Sequence, residues 1–134
     1  MTGANSSATF NAMLHLVAKL EGRGDHADAI TVMLPWAERP LAPFEYAVLA
    51  YNLGQVFLTS GQPDAAFEWL AWGVEHERAV GKTFLSEQRA VHLFEAGRRD
   101  EAAAVWRELL ASGLLEEKSR AAIEHNLRVA TGHA

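Results

Sequence analysis

The chain contains no cysteine, which excludes disulfide bonds, cysteine nucleophiles and cysteine-ligated zinc. It also lacks an excess of positive charge, because 12 scattered Lys and Arg face 17 Asp and Glu. The basic surface that binds a nucleic-acid backbone is therefore not predicted. No stretch approaches the roughly 20 consecutive apolar residues of a membrane-spanning helix. These absences favour a soluble, cytoplasmic protein that binds neither nucleic acid nor membrane, with a flexible N-terminus at residues 1–9.

Motifs that would identify an enzyme are missing as well. The six histidines are dispersed without metal-ligand spacing, and no Gly-x-Ser-x-Gly sequence occurs. The Gly-Lys-Thr sequence at 81–83 imitates the end of a phosphate-binding loop, but His76 stands where that loop requires its first glycine. The charged run from Glu75 to Arg78 is interpreted as a solvated helix face, because neighbours in a helix point in different directions. The sequence thus predicts a non-enzymatic protein without a metal or a cofactor.

One short pattern, by contrast, is present in three copies. The copies begin at Gly24, Gly61 and Gly97, at intervals of 37 and 36 residues. Each copy separates two stretches in which apolar residues recur with the 3.6-residue period of an α-helix. A helix–turn–helix unit repeated at this interval is typical of a stacked helical solenoid. The seven predicted helices cover about 10–21, 25–34, 43–59, 63–80, 83–96, 99–112 and 116–131, and Pro35 and Pro43 bound an interruption between the second and third.

The middle copy resembles the tetratricopeptide repeat, in which small residues allow two antiparallel helices to approach closely. The residues that match are Leu53, Gly54, Phe57, Ala66 and Leu70. The other copies match in part, since Val17 is larger than usual at its position and Arg89 replaces a preferred leucine. The resemblance implies an all-α solenoid of about seven antiparallel helices, with Gly54 against Ala66. It divides a single domain at 10–131 into repeats at about 10–41, 47–80 and 83–114 and a capping helix at 116–131.

The resemblance also implies a concave groove, because such repeats line one surface with the first helix of each pair. Carried over by position, the groove consists of Leu14, Val48, Tyr51, Asn52, Gln55, Leu58, Phe84, Glu87, Val91 and Phe94. The apolar members suit the anchor side chains of a peptide, and Asn52 and Gln55 suit its backbone. The four tryptophans, Trp36, Trp69, Trp72 and Trp106, are interpreted mainly as packing residues. Trp69 and Trp72 are the two that best suit an exposed binding role instead, because Leu70 already occupies the core position of the repeat.

The expected function is a non-catalytic protein–protein interaction module, an adaptor or chaperone that binds a peptide segment in this groove. The alternative is a structural homo-oligomer subunit, such as a homodimer, that buries the groove or the Trp69 and Trp72 face against a second copy. Capture of a carboxylate terminus is not predicted, because the positions that would supply basic side chains hold Leu14, Ala18 and Tyr51. In size, acidity and groove character the chain is similar to the small bacterial chaperones of type III secretion.

Overall fold

The computed structural model describes residues 3–132, with side chains from Ala8 onward. This part of the chain forms seven α-helices and one short 3-10 helix, without any strand. The helices are α1 (Gly3–Gly22), α2 (His26–Met33), α3 (Pro43–Thr59), α4 (Pro63–Arg78), α5 (Phe84–Glu95), α6 (Arg99–Ala111) and α7 (Glu117–Thr131), and the 3-10 helix is Leu34–Glu38. The predicted all-α class is confirmed.

The helix ends follow the sequence signals closely, with one exception at the start of the chain. Helix α1 begins at Gly3, although the apolar period predicts its start at Phe10. Residues 3–9, predicted as part of a flexible N-terminus, therefore belong to a helix. The segment contains Ala4 and Ala8 and no proline, so nothing in it stops an α-helix from extending backwards. The apolar period did not reveal this extension because it registers only residues with large apolar side chains.

Pro35 ends α2 as predicted. It lies in the first turn of the 3-10 helix, where a residue without a backbone N–H interrupts the α-helical hydrogen bonds. The 3-10 helix contains the buried Trp36, whose ring centroid lies 5.6 Å from that of Phe10 in an edge-on arrangement. The guanidinium of Arg39 also lies over this indole, 3.9 Å from its centroid. The segment that interrupts the helices thus packs against α1 through Trp36.

The three repeated motifs adopt one common turn. Gly24, Gly61 and Gly97 have φ angles of +76°, +78° and +82°, in the left-handed region that favours glycine. In each turn the following N–H donates to a carbonyl five residues earlier, and the pairs are Asp25 to Leu20 (2.9 Å), Gln62 to Phe57 (2.8 Å) and Arg98 to Leu93 (2.9 Å). This helix-ending arrangement satisfies backbone groups that would otherwise be unpaired. The sequence repeat therefore corresponds to a repeated local structure.

Helix α3 contributes to both apolar clusters of the core. Leu49 and Leu53 belong to the cluster formed with α1, α2 and the 3-10 helix, and Ala47 and Ala50 to the cluster formed with α4, α5, α6 and α7. The remaining large buried side chains are Phe10, Met13, Val17, Met33, Trp36, Val56, Phe57, Phe67, Leu70, Val74, Leu85, Leu93, Val105, Trp106, Leu109 and Ile123. The two clusters meet on α3, which makes it the central helix of the fold.

The crossing of α3 and α4 depends on two glycines. A Cβ added to Gly54 would lie 2.7 Å from Cδ2 of Leu70, and a Cβ added to Gly73 would collide with the Cβ of Ala50. Both contacts would be closer than two non-bonded carbon atoms can approach. The sequence correctly required a small residue at Gly54, but the atoms nearest to it belong to Leu70, one helical turn beyond the predicted Ala66. Gly73 was not recognised from the sequence as part of this crossing.

Candidate functional site

An apolar cleft of about 290 Å³ lies between the N-terminal ends of α3 and α5. It brings together three of the predicted groove residues, Val48, Tyr51 and Phe84. Its other lining residues are Phe44, Ala47, Glu77, Lys82 and Leu85. A cavity of roughly 150 Å³ is enough to bind benzene, so this cleft has room for one large aliphatic or aromatic side chain.

Helix periodicity explains why α3 supplies half of the lining. Phe44, Ala47, Val48 and Tyr51 are three or four residues apart and therefore share one face of the helix. Tyr51 contacts Phe84 across the cleft, with ring centroids 5.4 Å apart and planes inclined by 52°. The side chains of Phe44 and Phe84 are 60% and 52% exposed, respectively. The cleft therefore has two large aromatic side chains at its margin that remain partly exposed to solvent.

Glu77, at the end of α4, determines where α5 begins. Its carboxylate accepts hydrogen bonds from the backbone N–H groups of Leu85 at 2.6 Å and Ser86 at 3.4 Å, which are first-turn amides of α5. The hydroxyl of Thr83, the residue before the helix, donates instead to Oε2 of Glu87 at 3.0 Å. Because Glu77 caps α5 from another helix, it also holds Phe84 and Leu85 in their places beside the cleft.

Glu77 is buried, with 3% of its surface exposed, so the interpretation of residues 75–78 as a solvated face is wrong at this position. Burial raises the pKa of Glu77 above its ordinary value of 4.5, while the backbone hydrogen bonds from α5 act in the opposite direction. The charged run contains two kinds of residue, since Glu75 and Arg78 are exposed. No local pattern distinguishes Glu77 from Glu75, because the partners of Glu77 lie on another helix.

The two polar residues predicted to hold a peptide backbone are engaged inside the protein. The amide of Asn52 donates to the carbonyl of Val48 at 2.8 Å, within the same helix. Nε2 of Gln55 lies 3.3 Å from Nε2 of His92, which connects α3 to α5 beyond the end of the cleft. Asn52 and Gln55 therefore stabilise the surface on which the cleft opens.

The remaining predicted groove residues do not line the apolar cleft. Leu14 and Leu58 are half-buried against the core, and so is Phe94, whose ring lies 6.0 Å from that of Trp106. Val91 is 37% exposed on α5, away from the cleft. The apolar cleft is thus shorter than the predicted groove, since four of the predicted apolar residues lie outside its lining.

A second, polar cleft of about 320 Å³ adjoins the first. Lys82 and Phe84 line both clefts and therefore stand between them. The second cleft is completed by Gly81, Thr83, Glu87, Leu114, Glu116 and Ser119, and thus includes Glu87 of the predicted groove. Within residues 3–132, the ammonium of Lys82 has no ion-pair partner.

The Trp69 and Trp72 face is a partly buried aromatic cluster. The two indoles meet edge-on with centroids 5.2 Å apart, and Trp72 also contacts Tyr46 at 5.5 Å and His76 at 4.8 Å. The hydroxyl of Tyr46 accepts a hydrogen bond from the N–H of Leu41 at 3.1 Å and donates one to the carbonyl of Arg39. These contacts attach the segment before α3 to α4, and they leave both tryptophans partly buried.

No protein-family model matches this chain, and no curated protein is significantly similar to it in sequence. The resemblance to tetratricopeptide repeats therefore stays a prediction. Across the described helices, none combines the length and the apolar character needed to cross a membrane. The same residues hold no group of three or more His, Asp or Glu side chains arranged to bind a metal ion.

Proposed function

We propose that this protein is a non-catalytic interaction module, built on tetratricopeptide-like repeats, that binds a peptide segment of another protein as an adaptor or chaperone. The supporting observation is the apolar cleft, with Phe44 and Phe84 half-exposed at its margin. A large apolar side chain entering the cleft would remove both surfaces from water. Such burial contributes about 25 cal/mol for each Å² of apolar surface, which makes a cleft of this kind a natural anchor site.

The same aromatic residues support one other candidate, a homodimer that buries Phe44 and Phe84 against a second copy. Exposed apolar surface attracts either kind of partner, because the hydrophobic effect is not directional. The two candidates differ in stoichiometry. Light scattering at micromolar concentration distinguishes the two candidates. The peptide-binding module should be a monomer. The alternative should be a dimer, and Phe84→Ala should dissociate it.

A random peptide-display selection tests the peptide-binding function and requires no identified partner. We expect the selected peptides to share a large apolar residue, and their affinity to fall about tenfold or more in Phe84→Ala. Val80→Ala is the matched control, because Val80 is 40% exposed but lines neither cleft. Circular dichroism should show unchanged helix content in both variants. Unchanged affinity in a folded Phe84→Ala variant would place binding on another surface and contradict the proposal.

A further inference from the structure

The apolar and polar clefts are neighbours, and this arrangement restricts what a bound segment can contain. Both are lined by Lys82 and Phe84, so the two sites are separated by no more than the width of these side chains. A peptide whose apolar residue occupies the first cleft can therefore place a neighbouring residue over the second. The chemistry of the second cleft then selects that neighbour.

Four charged residues line the two clefts, namely Glu77, Lys82, Glu87 and Glu116. Glu77 is buried and bonded to the first-turn amides of α5, where the partial positive charge of a helix N-terminus compensates its charge. Glu87 lies in the first turn of the same helix and accepts a hydrogen bond from the neutral hydroxyl of Thr83, but no basic side chain forms an ion pair with it within residues 3–132. The side chain of Glu116 makes no ion pair within the described part of the chain. The polar cleft is thus lined by two carboxylates and one ammonium.

The net charge of the whole molecule is negative, as is that of the residues lining the polar cleft. The chain carries a formal net charge of −5, so the local excess of carboxylates adds to a generally negative surface. Complementary charge across an interface favours association and excludes partners of the wrong sign. A cationic group on the ligand is therefore preferred over a neutral one, and a neutral one over an anionic one.

We propose that the segment recognised here carries Lys or Arg within one or two residues of its large apolar anchor. The anchor occupies the apolar cleft, and the basic side chain reaches Glu87 and Glu116 in the polar cleft. Lys82 opposes this cation and acts against binding. The proposal rests on the peptide-binding function above and adds the charge that the peptide must carry.

The peptide-display selection provides the test when it is repeated on Glu87→Gln/Glu116→Gln. With the wild-type protein, we expect Lys or Arg to be enriched beside the anchor, and a selected peptide with this residue changed to Gln to bind about fivefold more weakly. With the double variant, the anchor should remain enriched and the basic neighbour should not. Lys82→Ala should bind the basic peptide more tightly than the wild-type protein does. High salt should reduce all these differences, because surface ion pairs are screened.

The matched control is Glu95→Gln/Glu124→Gln, which removes the same charge from two exposed residues outside both clefts. This control should retain the basic enrichment. Equal enrichment in Glu87→Gln/Glu116→Gln, or neutral or acidic neighbours on the wild-type protein, would overturn the charge requirement while leaving the peptide-binding function intact. Absence of a shared apolar anchor from every selection would contradict the peptide-binding function itself.

Discussion

The two sides of α3 are packed in opposite ways. Toward α4, there is no room for even one additional methyl group, since a Cβ on Gly54 would lie 2.7 Å from Leu70. Toward α5, the same helix borders a cleft of about 290 Å³. One helix thus forms a tightly packed crossing with α4 on one side. On the other side it borders an open seam, the gap between α3 and α5 that contains the apolar cleft. Features that stabilise the fold are thereby separated from features available for binding.

The position of the cleft follows from where α5 touches its neighbours. At its start, α5 is attached to α4, because Leu85 packs beside Gly73 and its N–H bonds to Glu77. Further along, Gln55 and His92 bring α3 and α5 together at 3.3 Å. The seam is therefore closed at one end by a polar contact and open at the other.

The largest effect is expected at the crossing, from Gly73→Ala. Replacing glycine by alanine inside a helix usually stabilises it by about 1 kcal/mol. Here the new methyl group would collide with the Cβ of Ala50 and lie 2.8 Å from Cδ1 of Leu85. We expect the free energy of unfolding to fall by about 2–3 kcal/mol, measured by urea denaturation.

Gly22→Ala is the control for Gly73→Ala. Gly22 ends α1, and a Cβ there would meet no atom of the described part of the chain within 4 Å. This variant should be as stable as the wild-type protein or slightly more so. If both variants were equally stable, the α3–α4 crossing would have free space, and the contrast between the two sides of α3 would disappear.

Local signals made the turns and the small residue of the crossing predictable. A left-handed glycine and a helix period are properties of a short segment, so the positions of Gly24, Gly61 and Gly97 were enough to locate three turns. Phe44 was missed although it lies one helical turn before Val48, on the same face of α3, and the period could have revealed it. Val48 and Tyr51 were identified as groove residues because the resemblance to a known repeat indicated which face of the helix lines the groove.

Features that depend on contacts between distant residues were not predictable. The hydrogen bonds of Glu77 join α4 to α5, and the partners of Gly73 come from α3 and α5. The sequence did identify Arg89 as unusual for its position. In the structure burial lowers the pKa of Arg89, and its Nε is buried with no hydrogen-bond partner among the described residues. The sequence shows that Arg89 departs from the expected residue type, but its buried surroundings become known only from the folded structure.

A smaller effect on stability is expected at the open seam, from Ala47→Leu. Ala47 lines the cleft, so three additional carbon atoms can grow into empty space instead of into another helix. The free energy of unfolding should stay within about 1 kcal/mol of the wild-type value, because added apolar burial offsets adjustments in packing. Affinity for the display-selected peptides should fall at least tenfold, because the new side chain occupies the anchor site.

Ala104→Leu serves as the control for this variant, since Ala104 is exposed on α6 and lines neither cleft. It should change neither stability nor peptide affinity appreciably. A loss of several kcal/mol in Ala47→Leu would mean that the seam is as tightly packed as the crossing. Full peptide affinity in a stable Ala47→Leu variant would remove the cleft as the anchor site.

The smallest effect is expected where the crossing and the seam meet, at Glu77, and it takes the form of a pH dependence. Burial raises the pKa of Glu77 in the folded state above 4.5, so the folded protein holds this proton more tightly than the unfolded chain does. The resulting stabilisation is fully present below the unfolded pKa and is lost as the pH rises through the folded pKa. Relative to Glu77→Gln, which does not titrate, the wild-type protein should therefore lose stability as the pH rises from 4.5 through the raised pKa of Glu77. Urea denaturation of both proteins across this range measures the difference, with Glu75→Gln as the control of equal net charge. A difference that instead grew in favour of the wild-type protein with rising pH would show that the α5 amides outweigh burial, and that Glu77 functions mainly as an ionised helix cap.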